Sequence, residues 1–254
     1  MKITAHISFY YIESRIQYLN RIIDETNKYK HATDIFIHTN YNYIFPSSLH
    51  PYTNGTIQFV HHDLSGIDPF KLTWKCRELM LKQKENYDAF LYIEDDILVP
   101  SAAIEYWIER HEPLVAQQYN LGFVRIETSK TNEECITDLD GVPFDTAIDI
   151  SGAHYVVNNK NPYCAFWIYD KQEFNKFTNS PLYDINNIVG YETRESSAIG
   201  LHGHKTPWYK HTILPLQEGK LIEACKIYHM PNNYVNWHPS FAKIKFKEAV
   251  RLAR

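Results

Sequence analysis

Tyr87-Asp88-Ala89-Phe90-Leu91-Tyr92-Ile93-Glu94-Asp95-Asp96-Ile97 is the stretch that decides the fold. Its middle, Ala89 to Ile93, is an unbroken apolar run with the length and composition of a strand. A strand with one wet face alternates polar and apolar residues; an unbroken run belongs to a strand covered on both sides, as in a parallel sheet. The run ends directly on three carboxylates. Side by side these repel, and beside a core each loses the water that stabilises its charge. A bound divalent cation relieves both penalties. Side chains alternate along a strand, so Glu94 and Asp96 face one side and can share one ligand, while Asp95 faces the other. In open α/β sheets, ligands lie beyond the carboxyl ends of the strands, which is where this cluster falls. The plainer alternative is a solvated acidic turn.

The flanking sequence extends the pattern. Ile3 to Tyr10 reads as a strand, and Ile16, Leu19, Ile22 and Ile23 follow at the spacing of a half-buried helix. Asp34 to His38 is a second strand, ending at Thr39-Asn40, and Thr56 to Val60 is a third beyond a loop over Pro46 to Gly55. Asp68-Pro69 starts a helix, with Asp as N-cap and Pro at the first helical position, and Phe70, Trp74 and Leu81 as its inner face. Another helix runs from Ser101 with Ile104, Trp107 and Ile108 buried. This alternation over residues 1–110 predicts an α/β fold with a mostly parallel sheet and flanking helices.

The later half is less regular. Leu121 to Ile126 and Cys164 to Tyr169 read as strands, Lys171 to Phe177 as a helix and Ile222 to Met230 as a late strand. Phe241 to Lys247 alternates apolar and basic residues, as an edge strand, a docked helix or a surface for acidic partners would; docking on its own chain is the plainer reading. With no repeat or low-complexity linker, the reading is a single domain with two lobes, 1–110 and 111–254.

At 254 residues the chain is long enough for one large core. A hydrophobic share of 44% and a charged share of 22% exclude a disordered chain. The net charge of -4 supplies no bulk cationic field, which argues against nucleic acid as a partner. Any anionic ligand must be held by a local device. The four cysteines, Cys76, Cys135, Cys164 and Cys225, form no C-x-x-C pair, so a zinc knuckle is not indicated and a reducing, cytoplasmic setting is expected. The N-terminus, charged too soon, lacks the form of a signal peptide, and no apolar stretch approaches the ~20 residues of a transmembrane segment.

The stretch Tyr87 to Ile97, preceded by the helix bearing Trp74 and Arg77, resembles the GT-A glycosyltransferases: nucleotide-sugar enzymes with an N-terminal Rossmann-like lobe and a D-x-D type metal motif. The resemblance implies a Mn2+ or Mg2+ ion on Asp96, with Glu94 binding it directly or through water, or touching the donor ribose. Here the first motif position is Glu where the family usually has Asp. It implies a nucleotide-sugar donor held by the loop after the first strand and the end of the second, namely Phe9, Tyr10, Tyr11, Glu13 and Arg15, then Thr39 and Asn40, with Asp95 beside them. A late histidine as a further metal ligand falls on His229, with His238 as runner-up. An inverting enzyme needs a carboxylate to take the proton of the acceptor hydroxyl. Glu195 is the best fit and Glu192 the second, with Arg194 between them free to pair with either or with a donor phosphate. Arg125, Glu127 and Trp167 are candidates for lining the acceptor side of a glycan or other hydroxyl acceptor.

Two rival functions stand beside this one. A nucleotidyltransferase also uses carboxylates and a metal, but it usually carries a glycine-rich phosphate loop near the N-terminus, and Phe9 to Arg15 has no glycine. A non-catalytic sugar-binding protein on the same fold is the other. Glycoside hydrolysis is disfavoured, because adjacent carboxylates cannot flank a sugar bond.

Overall fold

In chain order the elements are β1 (Ile3–Phe9), α1 (Ile16–Thr26), β2 (Thr33–Thr39), β3 (Ile57–His61), α2 (Leu72–Lys82), β4 (Ala89–Glu94), β5 (Ile97–Leu98), α3 (Ser101–Ala116), β6 (Asn120–Leu121), β7 (Val124–Thr128), β8 (Glu134–Ile136), β9 (Ala147–Ile150), β10 (Ala153–Val157), β11 (Phe166–Asp170), α4 (Lys171–Thr178), α5 (Thr193–Ile199), β12 (Thr212–Gln217), β13 (Lys220–Leu221), β14 (Lys226–His229), α6 (Asn233–Trp237) and β15 (Ile244–Lys245). The structure is a computed structural model and describes residues 1–42, 48–188, 190, 192–199 and 211–252. It is a mixed α/β fold. The chain forms two units, Met1–Ile97 with Ala165–Gly200, and Leu98–Cys164 with Leu201–Arg254. Their segments interleave, where the sequence reading draws one boundary at residue 110.

The first unit is built on a five-stranded sheet in the order β11-β4-β1-β2-β3. Four strands run parallel and β11 runs antiparallel to β4. β1, β2 and β4 are buried along their whole length, as the unbroken apolar runs require. The register places Ala5 beside Ile35 and Leu91, and Ile7 beside Ile37 and Ile93, which gives one sheet face an aliphatic layer. The opposite face is more polar: His6 aligns with Phe36 and Tyr92, and Ser8 with His38 and Glu94.

α2 packs over β1 and β2. Its start differs from the sequence reading. Asp68 does cap, accepting from Phe70 N–H, but Pro69–Lys71 is a 3-10 turn and the α-helix begins at Leu72. That rotates the buried face onto Thr73, Trp74, Cys76, Arg77 and Met80, and leaves Phe70 and Leu81 exposed.

In the second unit, one sheet runs β13-β12-β10-β9 with β6 on β12, and another carries β15-β8-β7-β14. Val124, Ile126, Ile136, Phe144, Val156 and Leu214 are central to its core. In α3, Ile104 and Trp107 are buried as expected, while Ile108 is only half-buried. The late strand is shorter than expected, because Glu223–Cys225 turns as a 3-10 helix before β14. The alternating tail does dock on its own chain, through β15 on β8. Among the described residues no helix is long and apolar enough to cross a membrane.

Candidate functional site at the carboxyl ends of the parallel strands

β4 ends at Glu94, and Asp95-Asp96 forms a turn beyond it. All three carboxylates are buried. The sequence reading paired Glu94 with Asp96 by strand alternation, but alternation stops with the strand. The structure instead joins Asp95 and Asp96 through Arg15. The Arg15 Nε donates to Asp95 Oδ2 at 2.7 Å, and its Nη2 donates to Asp95 Oδ1 at 2.5 Å and to Asp96 Oδ2 at 2.8 Å. Glu94 has a different partner, the Arg194 guanidinium from α5, which donates to Oε2. Arg15 sits in the 3-10 turn Glu13–Arg15 after β1, so the loop following the first strand delivers it to the end of β4. Sequence spacing gives no hint of either pair, since the partners lie 80 and 100 residues apart.

Burial, which disfavours charge, pushes the Asp95 carboxyl up to about 6; the Arg15 bonds pull it down, and the charge of Asp96 adds to the rise. For Arg15 burial works the other way, but the bonds and charges of the two aspartates outweigh it and hold the guanidinium above its ordinary range. Arg15 thus opposes, without cancelling, the cost of burying the Asp95 charge.

Carboxylate oxygens are the hard donors that Mg2+ and Mn2+ take. Asp95 and Asp96 already converge on one guanidinium nitrogen, so their oxygens can share a cation. Among the described residues no three His, Cys, Asp or Glu side chains gather closely enough to hold a metal alone. That is no obstacle for an ion of this class, which commonly takes one or two carboxylates and fills its shell with substrate phosphates and water. In chemistry the donor set fits.

The other expected donor-binding residues lie at the ends of β1 and β2. Tyr11 N–H donates to Asn40 Oδ1 at 2.8 Å, and the Tyr11 ring stacks on Tyr41 with centroids 4.2 Å apart. Tyr10 is exposed. Thr39 is buried, and its hydroxyl accepts from Tyr41 N–H. Glu192 and Glu195 are both exposed, Glu192 just before α5 and Glu195 in its first turn.

His229 lies in the second unit. It ends β14 and donates from Nδ1 to Glu127 Oε1 at 2.5 Å; Glu127 also accepts from Val235 N–H at 2.6 Å. His238 accepts at Nδ1 from the Phe241 N–H at 3.0 Å. Arg125 is buried on β7 against Asp138, while Trp167 belongs to the first unit, where it stacks on Tyr92 and Tyr169. Arg125 and Glu127 thus lie in the second unit and Trp167 in the first.

A feature the sequence reading did not single out lies on the polar sheet face. His6, His38 and His62 form a hydrogen-bonded row, with His6 Nδ1 to His38 Nε2 at 2.9 Å and His38 Nδ1 to His62 Nε2 at 2.8 Å. Gln83 Oε1 accepts from His6 Nε2 at 3.1 Å, which sets each imidazole as the Nε2–H tautomer. Burial lowers all three; the neighbouring imidazoles add to the shift of His38, and Lys75 to that of His62. The row is neutral. The alternation Thr4, His6, Ser8 along β1 was its only sequence signal.

Compared with known proteins, the chain matches no family model and no curated protein.

Proposed function

We propose that the first unit binds a nucleotide-sugar donor by its diphosphate and, with Mn2+ or Mg2+, transfers the sugar to a hydroxyl acceptor, as a glycosyltransferase on a Rossmann-like sheet of the GT-A type. One observation carries this: three buried carboxylates stand at the end of β4, in a mostly parallel sheet, and two arginines from less buried positions meet them. A cluster serving only stability has no reason to bury three like charges together.

The roles follow from the chemistry. Asp95 and Asp96 would hold the cation. When bound, that ion neutralises the charge that grows on the leaving diphosphate. Arg15 and Arg194 present planar forks suited to phosphate oxygens and can turn to them when a cation replaces them at the carboxylates. Glu94 orients Arg194. Tyr11, braced by Asn40 and Tyr41, offers a ring face to the base, with Tyr10 beside it. Glu195, with Glu192 as the alternative, takes the proton of the acceptor hydroxyl as its oxygen attacks the sugar carbon and the bond to the diphosphate breaks. Every residue named lies in the first unit. Four buried cysteines, all free thiols, fit a reducing cytosol.

The test is a melting-temperature screen of nucleotide sugars with and without Mn2+, because a ligand of the folded state must raise that temperature. A shift that needs the metal and disappears with chelator is the expected result. Equal binding in chelator would mean that the arginines alone hold the phosphates, and the metal-dependent reading would fall. Donor turnover with Mn2+ separates an enzyme from a sugar-binding protein.

A further inference from the structure

α5 is short, yet it carries Arg194 and Glu195, and its backbone is gripped from below by α2. Trp74 and Arg77 stand one turn apart on α2 and stack, with the guanidinium carbon 3.7 Å from the indole centroid. Trp74 Nε1–H donates to Thr193 O at 2.8 Å, at the start of α5. Arg77 Nη2 donates to Ser197 O at 3.1 Å, one turn later. Its Nη1 donates to Leu182 O and Tyr183 O at 2.9 and 2.8 Å, in the segment that leads to α5.

Two further groups reach the same turn. Trp167 Nε1–H donates to Ser197 O at 3.2 Å, and Tyr92 OH lies 3.2 Å from Ser197 Oγ, which itself donates to Arg194 O at 2.6 Å. A buried guanidinium whose bonds go to main-chain carbonyls rather than a carboxylate is costly as a stabilising device. Burial lowers the Arg77 pKa to about 10, which still leaves it charged. What the arrangement does provide is a fixed place for one turn of helix.

We infer that Trp74 and Arg77 are positioning residues: they bracket α5 so that Arg194 reaches Glu94 and faces the diphosphate of the donor. This rests on the donor site proposed above. Two variants probe it, Trp74→Phe, which removes the indole N–H donor and some ring area but keeps an aromatic face beside Arg77, and Arg77→Met, which removes the charge and keeps most of the volume.

The first measurement is hydrogen exchange of the 196–199 amides in the ligand-free protein. Loss of one such bond should speed exchange about tenfold relative to β1 and β4. The second is calorimetry with Mn2+ and UDP or GDP, whichever raises the wild-type melting temperature more. Arg77→Met and Arg194→Ala should weaken binding by similar factors, and the double variant should be no worse than either alone. If exchange over 196–199 is unchanged in both variants, there is no bracket. If Arg77→Met keeps full nucleotide affinity while Arg194→Ala loses it, the bracket does not position the arginine, and the inference fails. If Arg194→Ala also keeps full affinity, it is the assignment of Arg194 to the donor site that falls, and the positioning role falls with it.

Discussion

The two units each carry a cluster of buried charge, and the clusters are built in opposite senses. In the first unit the acids are inside: the side chains of Glu94, Asp95 and Asp96 are 3–8% exposed, while Arg15 is 26% and Arg194 44% exposed. In the Lys226 cluster of the second unit the cation is inside: Lys226 is 3% exposed, between Glu134 at 31% and Glu223 at 77%. A buried lysine ringed by wet carboxylates is a closed structural solution, because the acids keep much of their hydration. Buried acids met by wetter arginines are open to exchange, since the cations can leave for another anion and a different cation can replace them. On the function proposed above, the arrangement in the first unit is the one suited to receiving a ligand.

The largest effect that would test this contrast is Asp96→Ala. On the proposed function it should abolish sugar transfer while the melting temperature holds, because the side chain would serve a ligand and its loss relieves repulsion from Asp95. A well-folded Asp96→Ala protein with wild-type transfer would remove the cation site. Next comes Glu195→Gln, which keeps size and hydrogen bonding but removes the proton acceptor. If the enzyme inverts, turnover should fall by ~10²–10⁴ with donor affinity retained. If Glu192→Gln is the damaging change instead, the roles of the two are exchanged.

Much of the first unit could be read directly. β1, β2 and β4 are fully buried strands, and continuous burial writes itself as apolar runs. The carboxylates were visible because polar residues at the end of such a run need a reason. Their partners were not visible: Arg15 and Arg194 come from a loop and a short helix, and contacts across 80 or 100 residues leave no periodic trace. The inner face of α2 was misplaced for a local reason, a 3-10 turn that shifts the helix start by three residues. In the second unit, β9 and β10 form a hairpin whose turn, Ser151-Gly152, has φ of 52° and 79°. A two-residue Ser-Gly link is itself a hairpin signal. β12 was hidden by Pro215, a residue that argues against a strand interior.

Arg15→Met should cost about 3–5 kcal/mol, as removing one partner of a buried ion pair does, because it strands Asp95 and Asp96 without their cation. Chemical denaturation measures this, and added Mn2+ should restore part of the loss. A cost below 1 kcal/mol would mean that the aspartates reach water without Arg15.

Acid should act next. His6 and His38 stay neutral in the folded protein and take protons near pH 6.5 when unfolded, so their contribution is present above that pH and is lost as pH falls. Each sets a slope of about 1.4 kcal/mol per pH unit. Asp95 works the other way: its raised pKa means that the folded state binds a proton first, which adds stability as pH falls through about 6. The lowered histidines outnumber the one raised carboxylate, so the net expectation is a loss of stability between pH 6 and 5. Denaturation profiles at those two pH values test it, and a flat profile would show that the histidine row opens to protons without unfolding.

The smallest expected effect is Lys226→Met, and it is the sharper half of the contrast. Lys226 donates to Glu134 and Glu223, each at 2.5 Å, and sits over Phe246 at 4.1 Å. Those contacts resemble a strong ion pair, and the naive expectation is a loss as large as that of Arg15→Met. Exposure reverses the expectation. The methionine keeps the apolar stem against Phe246, and removing the charge removes its own desolvation cost. Glu223 is already mostly in water and Glu134 partly so, and neither is left as a dry, unpaired charge. The change in stability should therefore stay within about 1 kcal/mol, by the same denaturation measurement used for Arg15→Met. If Lys226→Met costs as much as Arg15→Met, then which partner is buried does not decide the energetics, and the argument that the strand-end acids are arranged for an exchangeable cation loses its physical basis.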